Sequence, residues 1–344
     1  MPLTSYAVLT KSRAKYGKQL KEKDYLGLLA CQSVPEVMVY LKSHTHFAGV
    51  LADVNERDVH RGRLEMLLRQ NLFYEFDSLF RYDSNISSGF SRYVIENMEA
   101  EQIVRFLILL SSNSTEKFIF NFPAFFDKHT EIDIHKLAVA KNYEEFLEAL
   151  RLSPYYRILK DFRPDEKNRL PVSVMETKIY EYIYGNLFDL IEKKAKGQEK
   201  QELMALFRTI MNYNVFSRII RLKSCFDLTP EAVKASLMTQ YCDIPPKIID
   251  SMCKAESTAE VFAIMQRTGC GKMIDKLGYV HANDIAPRVT CRLAKKNMHF
   301  SNNPAVVMIS YVLISEIELK NVISLIEGIR YKLDVKTIKS ILIF

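Results

Sequence analysis

Four groups of residues have the types that carry chemistry, and their spacing decides what each can do. Gly269-Cys270-Gly271-Lys272 contains the Gly-Lys pair of a phosphate loop. A working loop also needs a glycine five residues before that pair's glycine and a Ser or Thr after the lysine. Gln266 and Met273 occupy those places, so a glycine-rich helix end is the reading that fits. The seven histidines are His44, His46, His60, His129, His135, His281 and His299. None lies at ligand spacing from a cysteine and no H-E-x-x-H occurs, so no metal is expected. Glu144-Glu145, or Glu316 with Glu318, would have to converge to act as acid and base, and residues one or two apart on a helix do not. The six cysteines are scattered without a C-x-x-C pair, which predicts reduced thiols.

The fourth group is basic. Arg288, Arg292, Lys295 and Lys296 follow i, i+4, i+7, i+8 spacing, share one helix face and have no acidic residue between them. A solvated helix face is the plain reading. Docking of an acidic protein partner is the functional one. With no G-x-S-x-G, no G-x-G-x-x-G and no paired nucleophile and base, neither a catalytic residue nor a cofactor site is expected.

The totals agree with a non-catalytic helical protein. Only 11 glycines and 11 prolines occur in 344 residues, and 48% of the chain is apolar, which predicts an all-α fold with a sizeable core. The formal charge of +7 permits an acidic partner or an anionic surface. No zinc-finger spacing or aromatic–basic strand pattern accompanies it, so nucleic acid is not expected. The opening residues lack an apolar signal core. The longest apolar run, Ala305–Ile314, is too short to cross a bilayer.

What positions these residues is a repeated unit. Ser33-Val34-Pro35-Glu36-Val37 recurs as Asn142-Tyr143-Glu144-Glu145-Phe146 and as Ser257-Thr258-Ala259-Glu260-Val261. Each is a capping box: the cap side chain accepts from the third helical N–H, and the glutamate reaches back to the cap's own N–H. A short helix and a second short segment follow each box. Long amphipathic helices are then predicted over 58–81, 90–110, 172–192, 201–223, 284–298 and 305–326. Loops are expected at 83–89, 111–114, 163–165, 193–200 and 302–304. An opening helix from Ser5 is expected to place Tyr6, Leu9, Tyr16 and Leu20 on its core face and Lys11, Lys15 and Lys18 in solvent. The boxes divide the chain into helical units at 1–115, 116–224 and 225–344. Asn214-Val215-Phe216-Ser217 parallels Asn321-Val322-Ile323-Ser324, and the region 333–344 parallels 228–237.

Tyr6-Ala7-Val8-Leu9 with Arg13-Ala14, the first capping-box segment, and the ending Glu316-Ile317-Glu318-Leu319-Lys320-Asn321 with Ile326-Glu327-Gly328-Ile329-Arg330 bring a family to view. Together they resemble the C subunits of the V/A-type rotary ATPases, whose eukaryotic counterparts are the d subunits. The second unit departs from the pattern at Asn212-Tyr213-Asn214, where an acidic residue is expected. The resemblance implies an all-α, funnel-shaped protein of three similar helical-bundle domains around a pseudo-threefold axis. It implies a non-catalytic central-stalk subunit that couples the rotating stalk to the membrane rotor ring for ATP-linked proton or sodium transport. Its place would be peripheral, on the cytoplasmic face of the membrane, with the stalk subunits and rotor ring as partners. A helical scaffold or adaptor that binds protein partners is the alternative reading.

Overall fold

All three capping boxes form, with one change from the expected geometry. Ser33 Oγ accepts from Glu36 N at 3.4 Å, Asn142 Oδ1 from Glu145 N at 2.9 Å and Ser257 Oγ from Glu260 N at 3.2 Å. The returning glutamate does not bind the cap's own N–H. It accepts from the residue before the cap: Gln32 N to Glu36, Lys141 N to Glu145 and Glu256 N to Glu260, each at 2.8 Å. The carboxylate thus satisfies a donor outside the helix and fixes how the chain enters it.

The computed structural model describes residues 3–55, 59–80, 87–118, 129–165, 170–226, 228–274 and 282–344. Among them are seventeen α-helices and no strand. The chain opens with α1 (Leu3–Tyr16), α2 (Glu22–Leu29) and the first box helix α3 (Val34–His44), then a 3-10 turn over His46–Ala48. Two long helices follow, α4 (Arg61–Phe80) and α5 (Ser87–Ser111). The second round has α6 (Ile134–Val139), the box helix α7 (Tyr143–Ala149), α8 (Pro154–Leu159) and the long pair α9 (Val172–Lys194) and α10 (Gly197–Cys225). The third has α11 (Pro230–Ala235), α12 (Pro246–Lys254), the box helix α13 (Thr258–Gln266), α14 (Gly271–Ile274) and the long pair α15 (Ala282–Phe300) and α16 (Pro304–Arg330). The last helix is α17 (Val335–Ile341). Four expected loops are partly helical: Ser87–Gly89 begin α5, Ser111 ends it, Lys193–Lys194 end α9 and Gly197–Lys200 begin α10, and Pro304 is the first residue of α16. Residues 83–86 of the first of these lie outside the described residues, as do Asp58 and Arg81 of the predicted 58–81 helix.

The six long helices form a closed ring. Neighbours run α4, α5, α9, α10, α15, α16 and back to α4. Each adjacent pair is antiparallel. Gly89 of α5 packs on Leu190 of α9, while Tyr93 meets Tyr184 at 6.0 Å between ring centroids. Ser301, just past α15, donates to Glu202 near the start of α10 at 2.6 Å. Tyr311 of α16 donates to Glu75 of α4 at 3.1 Å, and Arg61 of α4 pairs with Glu327. The turns at Ala195–Lys196 and Ser301–Asn303 therefore share one end of the ring. Short helices gather at the other, where α5, α10 and α16 finish.

Buried side chains follow the ring. One continuous cluster joins residues from Val8 to Met211 with α16 and α17, and a second occupies Tyr213–Val289. Helix α16 is buried along almost its whole length because α1, α4 and α15 cover it, which suits so largely apolar a helix. Helices α5 and α16 end alike. Ser114 N donates to Leu109 O and Leu333 N to Gly328 O, each at 2.9 Å, with Asn113 and Lys332 at φ 49° and 53°. This is the left-handed C-terminal cap, and in α5 it falls in the Ser-Asn-Ser run. Gly328 also lets α17 approach, since a Cβ there would lie 2.6 Å from Ile338 Cγ1.

A polar contact recurs at each junction. Glu318 of α16 accepts from Leu20 N at 2.5 Å and contacts His46 Nε2 at 3.0 Å. Glu99 of α5 accepts from Thr130 at 2.7 Å and from Tyr155 OH of α8 at 2.8 Å. On α10, Asn212 Oδ1 accepts from Asp243 N at 2.7 Å and Tyr213 OH donates to Cys270 O at 2.6 Å. In each case the second long helix of one round holds the entry and the segment after the box helix of the next. The third closes back on the first. Asn212-Tyr213, where an acidic residue was expected, thus makes its junction with an amide and a phenol.

Leu9 and Tyr16 of α1, with Leu20 beyond its end, pack against the core as expected, and Tyr6 does not. Val8 and Ser12 are fully buried while Tyr6 is 56% exposed. The helix lies along α16, fixed by Gln19 to Ser315 at 2.8 Å and by Arg13 to the Met298 and Ser301 carbonyls at 3.0 and 2.8 Å. That docking turns Tyr6 away from the core. It also brings Lys15 against Glu75 of α4 rather than leaving it in solvent.

Candidate functional site

The sequence-nominated basic face divides in two. Arg288 is half-buried, and its Nη2 donates to the Ser340 and Leu342 carbonyls at 3.2 and 3.1 Å, so it holds the segment after α17. Arg292 and Lys296 are exposed and Lys295 is half-buried. No carboxylate among the described residues lies within ion-pair distance of these four. The other candidates are occupied in packing. Gly271 begins the four-residue α14, and a Cβ there would lie 2.3 Å from Gln266 Cα. The glycine is needed for that close approach. Among the described residues no group of three or more His, Cys, Asp or Glu side chains converges as a metal site. The six cysteines are free thiols, and burial pushes those of Cys31, Cys242, Cys253, Cys270 and Cys291 up. Glu316 and Glu318 point to different places, Glu318 to the α1–α2 junction and Glu316 into the ring.

The site that the linear sequence did not mark is the inside of that ring. A cavity of about 550 Å³ is lined by all six long helices, with Ser236–Met238 and Ile343 at the end where the short helices gather. Its lining is mixed. Tyr93, Tyr180 and Tyr184 give it an aromatic wall. Their hydroxyls stay protonated because burial, above all, raises each, Tyr184 to about 12.

Two charge clusters face this space. In the first, Glu101 of α5 meets Lys320 Nζ of α16 and Arg69 Nη1 of α4, each at 3.5 Å. Glu65 anchors Arg69 from behind at 3.0 Å. Glu101 holds the Lys320 ammonium above its ordinary range. The Lys320 side chain keeps 65% of its surface open although protein surrounds it, because the opening is into the cavity. In the second cluster, Glu176 of α9 accepts from Arg218 of α10 at 2.6 Å, with Arg221 at 4.0 Å. Arg218 also donates to Ser173 Oγ at 2.8 Å.

Glu316 belongs to neither cluster. It lines the cavity and makes no hydrogen bond or ion pair with any described residue. Burial raises its carboxyl to about 7, partly opposed by Lys320 and Arg69 and reinforced by Glu101. The arrangement offers charge-bearing and aromatic contacts to an inserted group. It presents no nucleophile–base pair and no phosphate cradle among the described residues.

The pattern that exposes this lining is the interruption of apolar helix faces. Glu316 and Lys320 stand four apart within the long, largely apolar α16, and Tyr180 and Tyr184 four apart on α9. Such pairs share a face, and only ring closure shows that the face is internal.

Comparison with known proteins places this architecture. The chain is 24% identical over 211 residues to the C subunit of the A-type ATP synthase of Methanosphaera stadtmanae, a match covering 59% of this chain and 51% of that protein. The chain thus spans about half the length of the curated relative it matches. Residues 8–341 match the ATP synthase (C/AC39) subunit family, a span that covers α2 to α17 entire and most of α1. The chain is a member of the ATP synthase (C/AC39) subunit family.

Proposed function

We propose that this chain is a non-catalytic central-stalk subunit of a V/A-type ATPase. It couples rotation of the stalk to the membrane rotor ring, for ATP-linked proton or sodium transport. The observation that carries the reading is the closed ring of antiparallel helices around a charged and aromatic cavity, in a chain of this family. The cavity serves as the socket for the end of the stalk.

The three rounds of short and long helices act as three similar domains about a pseudo-threefold axis, over 1–115, 116–224 and 225–344. Their junctions through Glu99, Asn212-Tyr213 and Glu318 support that reading, because each links one round to the next in the same sense. A ring that closes on itself transmits torque without an open seam, and close-packed helices resist deformation. The protein works peripherally, at the cytoplasmic face of the membrane. No helix among the described residues is long and apolar enough to cross a bilayer. Arg292, Lys295 and Lys296, outside the socket, supply a second docking face for an acidic partner in the same complex, with Arg288 holding its base.

The test is site-directed photo-crosslinking in the assembled complex. A crosslinking residue at Asn97 or Asn214, both in the cavity wall, is expected to capture a stalk subunit. One at Glu144 on the exposed face of α7 is expected not to. Equal capture from both places, or none from the cavity, would overturn the socket reading.

A further inference from the structure

One carboxylate of the cavity lining makes no ion pair. Among the charged groups that line it, Arg69, Glu101 and Lys320 satisfy one another, as do Glu176, Arg218 and Arg221. Glu316 alone of the described lining residues that carry charge has no partner. A carboxylate held in an enclosed space without a direct ion-pair partner is costly, and a protein lowers that cost by neutralising it. The free chain does so by keeping the proton to near neutral pH. An arriving cation would do so by pairing.

We propose that Glu316 is the socket's open contact, and that it receives a lysine or arginine side chain from the end of the stalk. This rests on the socket reading above and adds the chemistry of its occupant. An acidic guest is disfavoured at this place. Its neighbours Lys320 and Arg69 already share Glu101, and an added carboxylate would face Glu316 itself.

The groups facing Glu316 from the packed helices are Arg69 of α4, Glu101 and Tyr93 of α5, Tyr180 and Tyr184 of α9, and Lys320 of its own helix. Glu176 of α9 with Arg218 and Arg221 of α10 complete the charged lining, and α15 contributes no titratable group to it. Glu316 stands at about 7 in the free chain. A cationic guest favours the ionised carboxylate, so binding expels its proton and tightens as pH rises.

The experiment measures affinity of the full chain for the purified central-stalk subunits of the same complex by calorimetry at pH 6, 7 and 8. Wild type is expected to bind about tenfold more tightly at pH 8 than at pH 6, with proton release. Glu316→Gln is expected to bind at least about 30-fold more weakly at pH 8, with little pH dependence. Glu316→Asp, which keeps the charge, should retain the pH profile. Circular dichroism confirms that each variant folds. Unchanged or tighter binding by Glu316→Gln would overturn the proposal and, if tighter, would point to an acidic guest. Failure of wild type to bind the stalk would overturn the socket reading, and this proposal with it.

Discussion

Replacing Glu316 by Gln should stabilise the free chain at alkaline pH and leave it unchanged in acid. The reasoning is a linkage argument. The carboxyl titrates at about 7 in the folded chain against an ordinary 4.5, because burial penalises its charged form. Between those values the folded chain holds a proton that the unfolded chain has released. Stability is therefore fully present below about pH 4.5 and falls as pH rises through about 7. The whole gap corresponds to a ceiling of about 3 kcal/mol. Water in the cavity screens part of it, so a gain of about 1–3 kcal/mol is expected for Glu316→Gln at pH 8.5. At pH 4.5 the protonated acid and the amide are both neutral, and the difference should vanish. Urea unfolding of both proteins at the two pH values, followed by circular dichroism, makes the comparison. Equal stability at pH 8.5, or the same gain at both pH values, would refute the placement of an unpaired carboxylate in the cavity.

Other substitutions test the frame around it. Ser33→Ala, Asn142→Ala and Ser257→Ala should each cost about 1 kcal/mol in urea unfolding, and their effects should add because the three caps share no partners. Asn321→Ala removes two hydrogen bonds to Ile343, at 2.6 and 2.9 Å. It should cost about 2 kcal/mol and expose the segment after α17 to limited proteolysis. Gly271→Ala forces a methyl into Gln266 Cα and Met265 O, which are backbone and cannot swing aside. A loss of about 2–3 kcal/mol is expected in the same unfolding assay.

Local chemistry was legible in the sequence, and closure was not. The capping boxes and the break at Asn302-Asn303 follow from residues within one turn of each other. The structure bears them out. The box glutamates reach one residue further back than expected because the donor before the cap also needs a partner. The orientation of α1 depended on α16, some three hundred residues away in sequence. A pattern that counted Tyr6 as core had no means of registering Ser12 as the buried contact.

The cavity was hidden for the same reason. Tyr180 and Tyr184 were visible as aromatic residues on a long helix, and Glu316 and Lys320 as charges near a signature ending. Nothing local says that these positions face one another across a ring. Glu101 stands in no motif of its own, yet it joins α5 to both α4 and α16. Arg288 shows the converse. Its spacing grouped it with Arg292, Lys295 and Lys296, while the segment after α17 claims its guanidinium.

The coupling role is tested most directly in a reconstituted complex assembled with and without this chain. ATP hydrolysis and ion transport into vesicles are measured side by side. The account predicts that hydrolysis persists without the chain while transport is lost, and that adding the chain back restores transport. Transport that continues undiminished in its absence would contradict the account.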